Sequence, residues 1–232
     1  MKRWLMKTVG TDGEAHGGFV WPLEIGAEVG CPDWSDDAIC GGGLHGLLDG
    51  QGEGYRLSWE SDARWIVAEI PIDAKVVDLD GKVKVDRCVI AHVGDRVSAP
   101  AFLAEQGVVG PIVAATATAG YQGTATAGYR GTATAGYQGT ATAGDQGTAT
   151  AGDQGTATAG DEGTATAGYQ GTATAGYQGT ATAGYQGCIT ILYWDGTDYR
   201  RRCAEVDGTT IRAGVAYRLD ADRNFVEAEV AS

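Results

Sequence analysis

Ala115-Thr116-Ala117-Thr118-Ala119-Gly120-Tyr121-Gln122 opens a run of nine back-to-back octads that ends at Gln186. Each copy reads Gly-Thr-Ala-Thr-Ala-Gly-Tyr/Asp-Gln, with Ala115 in place of the first Gly. A short fixed period builds a regular surface rather than a single pocket. Thr-Ala-Thr-Ala alternates with period two, so as a strand it sends Thr to one face and Ala to the other. Gly-Tyr-Gln-Gly supplies the corners, and the glycines are expected to take the positive φ of a tight turn. The pattern predicts a β-solenoid.

One octad is too short for two strands and two corners around a filled interior, so the coil is expected to hold two octads, sixteen residues. Nine octads then give about four and a half coils, a rod roughly 20 Å long at about 4.8 Å per rung. In that register Thr116, Thr132, Thr148, Thr164 and Thr180 stack on one face, and Thr124, Thr140, Thr156 and Thr172 on the other. Ala is expected inside. Each buried methyl contributes about 0.8 kcal/mol, while ordering a residue's backbone costs about 1–2 kcal/mol. Ladder hydrogen bonds, tight packing and covered ends must supply the difference. Thr inside would instead bury hydroxyls that need partners, and β-branched residues suit an exposed pleat.

The seventh octad position varies in blocks: Tyr121, Tyr129, Tyr137, then Asp145, Asp153, Asp161, then Tyr169, Tyr177, Tyr185. A sixteen-residue coil divides these into two edge columns. Stacked Tyr are a candidate oligomer interface, through Tyr121, Tyr129, Tyr137, Tyr169, Tyr177 and Tyr185. Asp145 and Asp161, one rung apart, read as solvated like charges that repel mildly. Their density is too low for a calcium-binding repeat.

The segment Ala119-Gly120-Tyr121-Gln122-Gly123-Thr124-Ala125-Thr126-Ala127-Gly128 resembles the central repeat of bacterial ice-nucleation proteins. That family has Ala-Gly-Tyr, one residue, a small residue, Thr-x-Thr and Ala-Gly at this spacing. The resemblance covers residues 115–186. It implies a sixteen-residue coil, outward Thr-x-Thr ladders that order water, and Tyr stacks that pair neighbouring solenoids. Carried onto this chain, the ice- and water-binding positions are Thr116, Thr118, Thr124, Thr126, Thr132, Thr134, Thr140, Thr142, Thr148, Thr150, Thr156, Thr158, Thr164, Thr166, Thr172, Thr174, Thr180 and Thr182. Two features depart from the family: both half-coils carry Thr-Ala-Thr, where the family alternates two half-repeats, and the array is far shorter. Weak, antifreeze-like ice binding survives those departures better than strong nucleation.

Around the array, residues 1–114 read as an α+β module and residues 187–232 as a β-meander, each expected to cap one end of the solenoid. In the first, Arg64–Ile70 is a strand, Lys82 to His92 gives one or two more beside the Asp80-Gly81 turn, and Ala99 to Gln106 forms a short helix. Gly41-Gly42-Gly43-Leu44-His45-Gly46 lacks the Gly-Lys-Ser/Thr ending of a phosphate loop. With Cys31-Pro32-Asp33-Trp34, Cys40, Gly43-Leu44-His45-Gly46 and Asp78-Leu79-x-Gly81-Lys82-Val83-Lys84, this module resembles the head of an uncharacterised group of bacterial and phage repeat proteins. That likeness implies architecture and no activity. In the C-terminal region, Cys188 to Trp194 replaces small octad residues by larger apolar ones, Asp195-Gly196 and Asp207-Gly208 mark turns, and Phe225 to Val230 is a final strand.

The 232-residue chain carries a net charge of −13, which argues against nucleic acid and anionic membranes as partners. No apolar run reaches membrane-spanning length, and residues 1–7 do not form a secretory signal, so a cytoplasmic location is the default expectation. Cys31, Cys40, Cys88, His45 and His92 invite a zinc reading, but their spacing forms no paired knuckle. Structural thiols are expected instead, with no metal and no cofactor. No nucleophile, base and orienting group come together in the sequence, which favours a non-enzymatic protein. Three functions compete: Thr ladders that order water and bind ice, a self-assembling scaffold paired as a homodimer or end to end through Tyr, and a ligand-binding or enzymatic head on an inert stalk. His45 is the first position to test for the last.

Overall fold

The computed structural model describes residues 2–228 and is mainly β, in two compact units that meet in sequence at Ala114 and Ala115. The first unit is built on β1 (Arg3–Val9), β2 (Glu28–Gly30), β3 (Leu44–Leu48), β4 (Arg64–Ile70), β5 (Val76–Asp78), β6 (Val83–Val85) and β7 (Arg87–Gly94). They form one sheet in the order β2-β7-β4-β1-β3-β6-β5, with all adjacent strands antiparallel. Leu5, Ile66, Ala68, Val85 and Ile90 share one of its buried clusters. Helix α1 (Ser98–Glu105) follows, with Ala99 and Leu103 buried. The segment Lys82 to His92 supplies two strands, and Asp80-Gly81 turns the chain from β5 into β6, with both residues at positive φ.

In the second unit nine four-residue strands recur every eight residues. β8 (Thr116–Ala119), β10 (Thr132–Ala135), β12 (Thr148–Ala151), β14 (Thr164–Ala167) and β16 (Thr180–Ala183) make one parallel sheet. β9 (Thr124–Ala127), β11 (Thr140–Ala143), β13 (Thr156–Ala159) and β15 (Thr172–Ala175) make the other. Pairing residues lie sixteen apart, as Thr132 with Thr148 and Thr140 with Thr156. The coil is therefore two octads. Alanine lines the interior: Ala133, Ala141, Ala149, Ala157, Ala165 and Ala173 are wholly buried.

The C-terminal strands divide between the two sheets as two hairpins. β17 (Cys188–Trp194) adds in parallel to β15, then folds back onto β18 (Tyr199–Glu205). β19 (Tyr217–Leu219) joins β16 antiparallel and pairs with β20 (Phe225–Glu227). Ile189 and Ile191 take the register positions after Ala173 and Ala175, and Val206, Ile211 and Tyr217 close the core over them. Only the first part of the expected last strand, Phe225–Glu227, lies within the described residues.

The corners correct one expectation. No glycine between 120 and 187 has a positive φ; the left-handed residue is the eighth of each octad, Gln or its Arg130 and Glu162 substitutes, at φ 52 to 58. A left-handed non-glycine costs roughly 1–2 kcal/mol. The geometry lets its amide point along the rod, where Gln154 donates to the Tyr169 carbonyl at 2.7 Å and Gln138 to that of Asp153 at 2.8 Å. The glycines serve clearance instead. A Cβ on Gly152 would lie 2.9 Å from the Gly136 carbonyl carbon and 2.9 Å from the Tyr137 nitrogen, both backbone atoms of the rung before.

An inversion of the usual rule follows. Gly152→Ala destabilises the protein by about 1–3 kcal/mol through overpacking, although its φ is ordinary. Gln154→Gly changes stability by well under half of that, because relief of the left-handed strain offsets the lost amide contacts. Urea midpoints of the two variants measure the difference.

Candidate functional site

Strand alternation turns every octad Thr outward while the alanines fill the rod. From β9 to β15 the first Thr of each pair is exposed and the second half-buried. One sheet thus carries five Thr-x-Thr rungs and the other four, with Thr190 of β17 extending one column of the second. The first-Thr amides from Thr132 to Thr180 all donate at 2.9 Å to the rung before, so the spacing does not drift. Rungs lie about 4.8 Å apart and the two Thr of a pair about 6.8 Å apart. Among the described residues, none of the eighteen octad Thr hydroxyls hydrogen-bonds to protein. Each face is a regular grid of methyls and unengaged hydroxyls.

The edges carry ladders of their own. Tyr121 stacks on Tyr137 with ring centroids 5.6 Å apart, and Tyr169 on Tyr185 at 6.3 Å; all four are exposed. Asp153 separates the two stacks. On the other edge Tyr129 and Tyr177 are half-buried, and Tyr177 packs edge-on against Tyr199 of β18. On the Tyr121 edge the eighth octad residues form a second column: Gln122, Gln138, Gln154, Gln170 and Gln186 are joined amide to amide at 2.8 to 3.1 Å. Tyr137 and Tyr169 add hydroxyl bonds to Gln154 and Gln186.

The three aspartates are not merely solvated charge. Asp145 accepts from the Asp161 amide at 3.0 Å, Asp153 from the Tyr169 amide at 2.9 Å, and Asp161 from the Tyr177 amide at 2.7 Å. Each carboxylate folds over the corner and satisfies a backbone donor of the next rung, which outweighs the mild repulsion between neighbours. Tyr cannot do this.

The Cys and His residues of the first unit separate into different environments. Cys88 is buried, and burial pushes its thiol up to about 12. Cys31 is half-buried, and Cys40 is exposed beside Lys82, so only Cys88 is a buried thiol. His92 stacks on Phe102 and meets Ser98 at 3.1 Å. His45 accepts from the Gly41 amide at 3.4 Å, and burial first, then nearby Lys82, Lys7 and Lys84, lowers its pKa. Among the described residues, no three His, Cys, Asp or Glu side chains gather as a metal ligand set. No helix among them is long and apolar enough to cross a membrane.

No family model matches the chain, and no solved structure matches it. Curated relatives are found through a stretch of about a hundred residues. An ice nucleation protein of Pantoea ananas is 35% identical over 100 residues, covering 43% of this chain and 10% of its own length. One from Pseudomonas syringae is 36% identical over 104 residues, 44% of this chain and 9% of its own. One from Xanthomonas campestris pv. translucens is 33% identical over 100 residues, 43% of this chain and 6% of its own. The chain thus spans a tenth or less of the length of these relatives. Its solenoid repeat is similar to theirs.

Lys7, on β1, is a half-buried charge with no ion pair among the described residues. Its ammonium lies 4.3 Å from the centre of the Trp21 ring, and burial lowers its pKa from 10.5 to about 8. Below about pH 8 the folded state keeps a half-buried cation at some cost in stability. Between about pH 8 and 10.5 the folded protein has released a proton that the unfolded chain keeps, so this contribution to stability rises with pH. Lys7→Met is expected to raise stability at pH 7 by on the order of 1–3 kcal/mol. That gain shrinks as pH rises from 8 towards 10, as denaturation at several pH values would show.

Proposed function

We propose that this is a non-enzymatic solenoid whose two Thr faces order water and bind ice weakly, in the manner of an antifreeze surface rather than a strong nucleator. The observation that carries the reading is the pair of undrifting Thr grids with hydroxyls unengaged by protein. Hydroxyls held at a fixed two-dimensional spacing hold water at that spacing, and the flanking methyls limit competing orientations. The curated relatives named for ice nucleation share the repeat region and add support. Extent sets the strength. Four or five rungs form a patch roughly 20 Å long, enough to adsorb to an existing crystal and too small to template a new one.

Thr140→Lys with Thr156→Lys places two long cations in one exposed column. Ice-plane affinity should fall by at least about tenfold, while stability changes by no more than about 0.5 kcal/mol per site. Absence of ice affinity in the parent protein at high concentration, with circular dichroism confirming the β fold, would end the proposal.

A second reading rests on the exposed Tyr121–Tyr137 and Tyr169–Tyr185 stacks. Rods paired edge to edge through these rings would form a homodimer. Sedimentation should then show concentration-dependent association that Tyr137→Ser with Tyr169→Ser removes; a monomer at every concentration would exclude it.

A further inference from the structure

The first unit holds a cavity of about 490 Å³ whose wall runs against the composition of the chain. The sequence has 30 Asp and Glu against 17 Lys and Arg. Yet the cavity is lined by Lys7, His16, Cys40, His45, Arg56 and Lys82 among others, and no carboxylate lines it. These groups come from separate places: Lys7 from β1, His45 from β3, Arg56 from the turn Gly54–Arg56, and Lys82 from the start of the return into β6. The fold, rather than a local motif, brings them together.

Their partners are unevenly supplied. Arg56 is paired with Glu53. Lys82 donates to the Cys40 sulfur at 3.1 Å and forms no ion pair among the described residues. Lys7 meets the face of Trp21 and, among the described residues, neither a carboxylate nor a hydrogen-bond acceptor. Lys84 shows the contrast. It is wholly buried and fully engaged, donating to Asp37 at 2.9 Å, the Ile39 carbonyl at 3.0 Å and the Gly41 carbonyl at 3.1 Å. Lys84 is thus neutralised and satisfied, while at the cavity wall Lys7 has only an aromatic face and Lys82 only the Cys40 sulfur and the field of the nearby Glu53 carboxylate, which Arg56 already engages. Sheltered cations without partners are costly to keep unless an anion completes them.

We propose that this cavity binds a small phosphate-bearing molecule, with Lys7 and Lys82 as the anion's two charged donors. A wall that gathers Lys7, Lys82 and Arg56 with His16 and His45 around one nearby carboxylate matches a dianion better than a single carboxylate, and lysine serves phosphate as a point charge. Arg56, held by Glu53, adds positive potential at the wall. Tyr55, exposed at the same wall, offers a ring to the organic part. The volume lies within the range of small-molecule sites, about 300–1,000 Å³.

Calorimetric titration of the full chain at low salt tests the assignment, with inorganic phosphate, adenosine monophosphate, adenosine and acetate as probes. Phosphate and the monophosphate should bind with Kd below about 1 mM, and adenosine and acetate at least about tenfold more weakly. Lys7→Met and Lys82→Met should each weaken phosphate binding by about tenfold or more. Lys7→Met removes a half-buried charge whose one described contact is the Trp21 ring and is expected to fold at least as stably as the parent, which separates loss of binding from loss of fold. No heat with phosphate at about 10 mM, equal affinity for acetate, or unchanged affinity in both lysine variants would overturn the assignment.

Discussion

Everything in the solenoid depends on how closely one rung approaches the next. The amides of Thr132 through Thr180 meet carbonyls of the preceding coil at 2.9 Å, and within the octads the interior between the two sheets is filled by alanine methyls. A core that thin provides little hydrophobic stabilisation per residue. The ladder must therefore be complete, and every octad position is constrained by it. From Gly136 to Gly184 the glycines at the Gly152 position have no room for a Cβ because backbone of the previous coil lies where it would go. Gln154 and its equivalents accept a left-handed backbone because that conformation carries the ladder through the corner. Asp145, Asp153 and Asp161 extend the ladder by hydrogen-bonding side chain to backbone. The outward Thr columns are the outer consequence of the same constraint: rungs held in register keep their Thr in register.

Identical rungs bring their own hazard. A slip of sixteen residues would return Thr onto Thr and Ala onto Ala, so the strand positions do not by themselves pin the register. The termini of the array do so in the second unit. Ile189 and Ile191 are too large for an interior alanine position, and they find space only where Val206, Ile211 and Tyr217 close the core. The two C-terminal hairpins also cover both sheets at that end. Each growing edge there is paired antiparallel, by β18 on one sheet and by β19 on the other, and does not await another parallel strand.

Much of this was legible in the octad. Period two within Thr-Ala-Thr-Ala and the sixteen-residue coil place each Thr in its column, and the size of alanine decides which face is inside. The corners were not legible, because residue type points to glycine for positive φ while the ladder demands that conformation one position away, at Gln122 and its equivalents. The roles of the aspartates needed the third dimension, since their partners lie sixteen residues on. In the first unit, Cys and His attract attention through reactivity, yet the cavity is distinguished by lysines. Lys7 and Lys82 are ordinary in sequence and become unusual only when β1 and the turn before β6 bring them to one cavity wall. No spacing rule could have paired them.

If the alanine-lined interior is held as one cooperative ladder, amide hydrogen exchange across residues 124–183 will show it. The Thr and Ala amides of β10 to β15 should exchange orders of magnitude more slowly than an unstructured chain, and urea should release them together in a single transition. Exchange of these amides at the unstructured rate, while the amides of β1 and β4 remain protected, would contradict it.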